Sequence, residues 1–383
     1  MKNFIKISAL VAVLISTSCS KTEEEKVTTI ADLKPVNFVA ATDVVVKTEQ
    51  SSRAYPNPAN NQTLEFQTIT TVQKTGKADP VSPAFSTDTS LIFPGSILRG
   101  SSFLNGDYDP LVLSNAFNKV TLSTSLRGAS TVFGEYFPTI SGIATGINDL
   151  VVLKAQEINY NYIPAILSYD SKEVTTNESL VKSMNVHATL DLKFVAASVA
   201  AKFGYVKKET STTGSRSVLI AFRQKLYSAS IDPKFYTEWI TGGINTSQCG
   251  EYEPLYISSV DYGRIAYVLF ETTLTKDEIY SQVTASLTAS YKAVATLSAS
   301  AEWTTEASRV FSQNSFKAYI YGGPLNGGVI TNLEGLADFL QKPTPQQLVG
   351  GSAPISYTVR RLSDNTKVEI RSVYTEETAA FRP

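Results

Sequence analysis

The stretch Gln282–Trp303, QVTASLTASYKAVATLSASAEW, alternates between two kinds of side chain. Its odd positions carry Val283, Ala285, Leu287, Ala289, Tyr291, Ala293, Ala295, Leu297, Ala299, Ala301 and Trp303, and its even positions are polar apart from Val294. A period of two sends successive side chains to opposite faces of a strand. Folded back near Tyr291–Val294, the stretch makes two arms of about 9–10 residues, the length of a tilted transmembrane β-strand. The same residues also satisfy a helix. Ile279, Val283, Leu287 and Tyr291 recur every four residues, with Val294 three further on, and no Pro or Gly lies between Lys276 and Ser315. A segment obeying both periods is readable as a helix in a soluble form and a hairpin in a membrane. It is equally readable as a long hairpin with one wet face in an ordinary β-sandwich.

The chain opens with Met1-Lys2-Asn3-Phe4-Ile5-Lys6 and an apolar run over Ile7–Ile15, too short for a spanning helix and read as a signal peptide over residues 1–18. Ser16-Thr17-Ser18 before Cys19 resembles a bacterial lipoprotein cleavage site, with Ser16 where Leu is usual, and the following Ser20–Glu25 looks like an acidic tether. Cys19 is therefore the expected lipidation site. The chain is expected to be exported, held at the outer membrane or cell surface as a lipoprotein or released as a secreted protein. A lipidated Cys19 leaves Cys249 alone, so no intramolecular disulfide is expected. With 383 residues and 43% hydrophobic composition, stability must come from burial. Lys and Arg total 34 against 35 Asp and Glu, which gives no basic excess and no sign of a nucleic-acid partner.

Residues 19–61, rich in Thr, Val, Asn and Pro and broken by Tyr55-Pro56-Asn57-Pro58, read as tether and loop. Strands are expected over 64–72, 89–98, 120–126 and 217–227. A helix is expected over 140–153, where Ile143, Ile147 and Val151 step by four.

Several further segments carry a family likeness. Phe93-Pro94-Gly95-Ser96-Ile97-Leu98 resembles the tyrosine-proline-glycine turn near the start of the cholesterol-dependent, or thiol-activated, cytolysins of the MACPF/CDC superfamily. The run from Ile257 to Thr273, with Tyr262-Gly263-Arg264 and the closing Glu271-Thr272-Thr273, is similar to that family's long strand leading into its second membrane hairpin. Tyr321-Gly322-Gly323 resembles the paired glycines after that hairpin, and Pro354–Thr358 and Thr375–Thr378 resemble the return strand. The segments run in the family's order from about Leu64 onward.

The resemblance implies an α+β fold. In it, a twisted antiparallel four-stranded sheet is flanked by two helical clusters that convert to transmembrane β-hairpins, with an elongated β domain beside them. On this reading residues 62–383 form the cytolysin-like region, with the membrane-hairpin domain near 150–240 and 256–323. The chain stops at Pro383 with only Trp239 and Trp303, neither in a tryptophan-rich loop. The family's C-terminal, cholesterol-binding β-sandwich is therefore expected to be missing, and cholesterol dependence is not carried over.

A first hairpin is implied ahead of residue 217, and the residues there agree. Met184, Val186, Ala188, Leu190, Leu192 and Phe194 form one face, with Asn185, His187, Thr189, Asp191 and Lys193 on the other. The phase then slips, with Val195, Ala197, Val199, Ala201, Phe203 and Tyr205 apolar, which calls for a turn or bulge near Val195–Ala197. An amphipathic helix packed on a sheet fits the same residues in a soluble state. The expected lipid faces are this set through Phe194 and, in the second hairpin, Val283, Ala285, Leu287, Ala289, Tyr291, Ala295, Leu297, Ala299, Ala301 and Trp303. Gly322 and Gly323 either turn the chain, as Pro324–Gly328 after them suggests, or act as the hinge that the resemblance implies. Thr331 and Glu334 make a capping box for a short helix carrying Leu333, Leu336, Phe339 and Leu340.

An enzyme is not expected. His187 is the sole histidine and Cys249 lies far from it in sequence; the usual metal-ligand sets cannot be built, and Gly322–Gly328 lacks the Gly-Lys-Ser/Thr ending of a phosphate loop. No cofactor is expected. The reading is a pore-forming protein that meets membrane lipid and assembles with itself or with a longer paralogue. The alternative is a non-lytic surface lipoprotein or adhesin on the same fold.

Overall fold

The computed structural model describes residues 29–56, 64–85, 89–160, 166–186, 192–205, 215–295, 305–323, 329–331, 335–336 and 344–382. Two long strands form its spine, β7 (Arg216–Ile231) and β8 (Leu255–Thr272), paired antiparallel almost from end to end. Both are runs of Val, Ile, Leu, Ala and aromatic residues, as a strand covered on both faces requires. The expected strands at 217–227 and 257–273 are these two.

Each spine strand has different neighbours along its two halves. On one half, β7 pairs with β6 (Ile166–Val174) and β8 with β9 (Ser315–Tyr321), giving a four-stranded antiparallel sheet in the order β6-β7-β8-β9. On the other half, β7 takes β4 (Val120–Thr124), itself paired with β5 (Phe133–Tyr136), and β8 takes β3 (Ile97–Leu98) and β11 (Ala353–Arg361). The halves meet at two bulges. One lies in β7 between Lys225 and Tyr227 opposite Gly263 and Tyr262; the other lies in β11 between Pro354 and Ser356. Bulges bend and twist a strand, and here the ring of Tyr227 stacks on Tyr262 at 4.9 Å. Asp261 sits at the same level, held by Lys225 at 2.6 Å, Ser228 at 2.7 Å and Ser356 at 2.8 Å.

The half carrying β4, β5, β3 and β11 packs on the largest apolar core, which includes Phe103 of α1 (Gly100–Leu104), Trp239 and Tyr256. The expected helix at 140–153 is α2 (Ile140–Ile147), capped by Thr139 accepting from the Gly142 amide at 3.1 Å and continued by a π-turn over Asn148–Val152. Ile143 and Val151 face the core. In this core Tyr108 and Tyr357 share a buried hydrogen bond of 2.6 Å.

A second sheet has the order β1-β2-β12, from β1 (Val44–Pro56), β2 (Leu64–Lys77) and β12 (Arg371–Arg382). Two expectations need correcting. The stretch taken as tether and loop contains the 13-residue β1. Its Val44, Val45 and Val46 are all exposed, so no buried face imposes an alternation by which to recognise it. Of the strand expected over 89–98, only Ile97–Leu98 is extended, because Pro94-Gly95, with Gly95 at φ 89°, turns the chain first. The segments bearing the family likeness, apart from Thr375–Thr378 on β12, converge on β8. Gly95 donates to Ile257 O at 2.7 Å, Ile97 pairs with Tyr256, Pro354 with Tyr262, and Tyr321 with Ile265.

Candidate functional site

Both segments with membrane-like alternation hang from the same end of the four-stranded sheet. The chain leaves β6 at Val174, opposite Ser217 of β7, and returns through residues 175–215. It leaves β8 at Thr272 and re-enters β9 at Ser315, opposite Glu271, through residues 273–314. Each link thus joins two strands already paired in antiparallel register. If its helices unwound, the flanking strands could simply lengthen into a hairpin.

The links instead fold as helices and cover the two faces of the sheet. Alternate residues of β7 and β8 point to opposite sides, Leu219, Ala221, Ile265, Tyr267 and Leu269 to one and Val218, Ile220, Phe222, Ala266, Val268 and Phe270 to the other. Against the first face lie α3 (Asn177–Ser183) and α4 (Leu192–Phe203), contributing Leu180, Val181, Val199 and Phe203. Against the second lie α5 (Lys276–Ala295) and α6 (Thr305–Gln313), contributing Ile279, Val283, Val310 and Phe311. The four-residue step of Ile279 and Val283 is the helical stripe foreseen in the sequence, and Thr275 caps α5 against Glu278.

The expected lipid-face residues fall as follows. Met184 and Val186 are buried in the first cluster. Leu192 and Phe194 lie on α4, while Ala188 and Leu190 lie outside the described residues, as does His187. Val283 is buried and Ala285 exposed on α5, which also carries Leu287, Ala289, Tyr291 and Ala295. Leu297, Ala299, Ala301 and Trp303 lie outside the described residues, as does Cys19. In this state neither segment shows the turn expected at Val195–Ala197 or Tyr291–Val294, because α4 and α5 run through those positions. Among the described residues no helix is long and apolar enough to cross a membrane, which leaves strands untouched.

The paired glycines end β9. Gly322 and Gly323 have φ of 79° and 97°, a region that favours glycine. A Cβ on Gly322 would stand 2.5 Å from the Gly263 carbonyl oxygen, and one on Gly263 would stand 1.9 Å from Gln224 O. Gly322 lets the end of β9 approach β8, and Gly263 lets β8 approach β7, at the level of the bulges. Beyond them, β10 (Val329–Ile330) pairs with Ala318 and Tyr319 and covers part of the edge of β9. Of the helix foreseen after Thr331, Gly335 and Leu336 are helical, with Leu336 buried in the second cluster; Glu334 of its capping box lies outside the described residues, with Leu333, Phe339 and Leu340.

Sequence reading missed the polar ties of the first cluster. Met184 O accepts from Arg223 at 3.3 Å and from the Tyr267 hydroxyl at 3.1 Å, and Arg223 Nε has no partner. The available signal was Arg223-Gln224 directly after the apolar run Val218–Phe222, since a charge inside a buried strand needs partners. The Cys249 thiol is buried and pushed up by burial, the opposite of an activated nucleophile. Among the described residues no group of His, Cys, Asp and Glu could hold a metal ion.

The fold and these segments have counterparts among known proteins. The family described as thiol-activated cytolysin matches residues 46–380. Seeligeriolysin of Listeria seeligeri is 26% identical over 313 residues, covering 76% of this chain and 55% of its own length. Listeriolysin O of Listeria monocytogenes is 27% identical over 312 residues with the same coverage. The chain thus spans about half the length of these curated relatives. Among solved structures, the human-specific toxin intermedilysin superposes with a TM-score of 0.61 at 27% identity, over 88% of this chain and 70% of that one. A non-hemolytic pneumolysin from Streptococcus pneumoniae shares the fold with a TM-score of 0.66 at 20% identity, over 92% of this chain and 74% of that one. With a family match across most of its length, the chain belongs to the thiol-activated cytolysins.

Proposed function

We propose that this chain is a pore-forming protein that oligomerises on a membrane and inserts two β-hairpins per subunit into a shared β-barrel. The observation that carries the reading is the placement of the two links. Each has a helical fold, a two-residue apolar period, and strand ends already paired in register at the same end of the sheet. Each link is about forty residues long, room for two arms of ~10 residues across a bilayer with connecting chain to spare.

The need for assembly follows from the backbone. A lone hairpin in lipid leaves unpaired N–H and C=O groups on both edges, and only a closed barrel satisfies them. Four strands per subunit are too few to close a wide ring. Assembly therefore precedes insertion, and β9 must first be uncovered by β10 swinging at Gly322–Gly323. Serine and threonine would line water, while the faces of Met184–Phe194 and Val283–Trp303 would meet lipid. The ring is formed either by copies of this chain or by this chain with a longer paralogue. The protein is exported, anchored at the surface through Cys19 or released.

The test is dye release from liposomes by the mature chain, alone and with host-cell or bacterial membrane extract, with negative-stain imaging in parallel. Rings with leakage are expected. Leu287→Arg is expected to abolish leakage while rings still form, since Arg or Lys at mid-bilayer costs about 2–4 kcal/mol per site on a barrel's lipid face. Binding without rings or leakage in every condition would favour a non-lytic surface lipoprotein.

A further inference from the structure

The five residues Val81–Phe85 lie between β2 and β3 and make contacts that the pore-forming reading does not use. Val81 bridges Tyr357 of β11, with the Tyr357 amide donating to Val81 O at 3.2 Å, which fixes the base of the segment. Ser82 then lies parallel to Val186, and its amide donates to Asn185 O at 2.9 Å. The Tyr267 hydroxyl contacts both Ser82 Oγ at 3.0 Å and Met184 O at 3.1 Å, so one spine side chain secures the segment and the start of the first hairpin together. Ala84 is fully buried within the first helical cluster. Phe85, at φ 69°, lays its ring 4.4 Å from that of Tyr319 on β9, with the Lys202 ammonium of α4 over it at 5.3 Å.

These contacts reach three parts that the pore-forming reading requires to move. Met184–Val186 begins the first hairpin's lipid face, α4 is its helical form, and Tyr319 lies on the strand that must be uncovered. Asn185 takes a left-handed backbone, φ 55°, just past the end of α3, a place that asparagine fills readily. Phe85, also left-handed, is the residue whose surroundings must impose that conformation.

We propose that Val81–Phe85 is a clasp that keeps the first hairpin in its helical form, and that it must lift before α4 leaves the sheet. This rests on the pore-forming reading for its purpose, though not for its test. The clasp continues directly from β2, whose sheet partner β12 contacts α3 through Thr176 Oγ1 donating to Thr375 O at 2.6 Å.

Hydrogen exchange on the full soluble chain reads the clasp without any membrane. Phe85→Gly keeps the backbone conformation, which glycine adopts freely, and removes the ring. Exchange of the α4 amides is expected to rise by roughly tenfold, the scale of losing one ring's aromatic and cation–π contacts, while α5 amides stay as in the parent. A second variant, Ser82→Cys with Val186→Cys, joins the bridged pair. When oxidised it is expected to slow α4 exchange below the parent and to block dye release, both reversed by reductant. Unchanged α4 exchange in Phe85→Gly, or undiminished leakage from the oxidised double variant, would overturn the clasp. A parent chain that never leaks would count against the pore-forming reading alone, since exchange reports the clasp separately.

Discussion

The two helical clusters lie on opposite faces of one sheet, and the contacts described for them differ in kind. Those described for the second, α5 with α6, are mainly apolar, although Gln282 and Arg309 on these helices also have partners. Phe311 meets Phe270 at 5.4 Å and Phe316 at 5.2 Å, with Ile279, Val283 and Val310 beside them. The first, α3 with α4, has an apolar core of similar kind and, in addition, directed hydrogen bonds to three other parts of the molecule. These run from Arg223 and Tyr267 to Met184 O, between Ser82 and Asn185, and from Thr176 and Lys182 to the carbonyls of Thr375 and Lys77. The difference bears on release. Apolar packing is non-directional, and a lipid interior offers an equivalent environment. A buried hydrogen bond has to be broken before its partners can move, and each group left unpaired is costly. The second hairpin is therefore expected to leave the sheet more readily than the first.

The largest expected effect tests the apolar side of this contrast. Phe311→Ala should lower stability by about 3–5 kcal/mol, the usual cost of emptying a buried aromatic site. Urea unfolding followed by tyrosine fluorescence measures it. Exchange should accelerate in α5 and α6 ahead of α3 and α4. A loss below about 1 kcal/mol, within reach of a surface substitution, would mean that the aromatic trio does not carry the second cluster.

A smaller effect is expected from the polar side. Tyr267→Phe removes the hydroxyl that contacts both Ser82 and Met184 O and leaves the ring in place. The cost should be about 1–2 kcal/mol, a lost hydrogen bond plus a buried acceptor kept in part by Arg223. The faster exchange should now appear in α3 and α4 rather than α5. If both variants loosened the same helices, the two clusters would be one cooperative unit and the contrast would fail.

Much of this arrangement was legible in the sequence because burial writes a pattern. β7 showed as an apolar run, α2 as a four-residue step, and α5 as Ile279 and Val283 within a stretch that also alternates by two, while β8 was read through the family likeness. What was illegible had no such pattern. β1 is exposed over Val44–Gln50, so its three adjacent valines mimic nothing periodic. The extended stretch expected before Ile97 failed because Pro94-Gly95 turns toward Ile257, a partner more than 150 positions away that no local signal names. The ties at Met184 O are tertiary in the same sense. Arg223, a charge directly after an apolar run, was a signal left unread, and its acceptor is a backbone carbonyl, which carries no residue identity. The lipid-facing sets were read from a period that the helical fold does not express, so they describe the inserted state of the proposal rather than the one described by the structure.

The finest test of the contrast uses Lys182, the last tie of the first cluster. Its ammonium donates to Lys77 O, and burial lowers it to about 8, with Lys172 adding to the fall and Asp170 opposing it. Below that value the lysine is charged in the folded and unfolded chains alike, and the full penalty of burying the charge is present. Between there and the ordinary lysine range the unfolded chain still holds the proton while the folded chain has released it. The unfolded state then binds more protons, and the contribution of this group to stability rises with pH. Lys182→Met removes the titration, so the stability of the parent relative to this variant should shift in the parent's favour from pH 7 to pH 10. Paired urea titrations at the two pH values read that shift free of groups common to both proteins. A constant difference would mean that α3 is held by Thr176 and its apolar face, with Lys182 solvated at its edge.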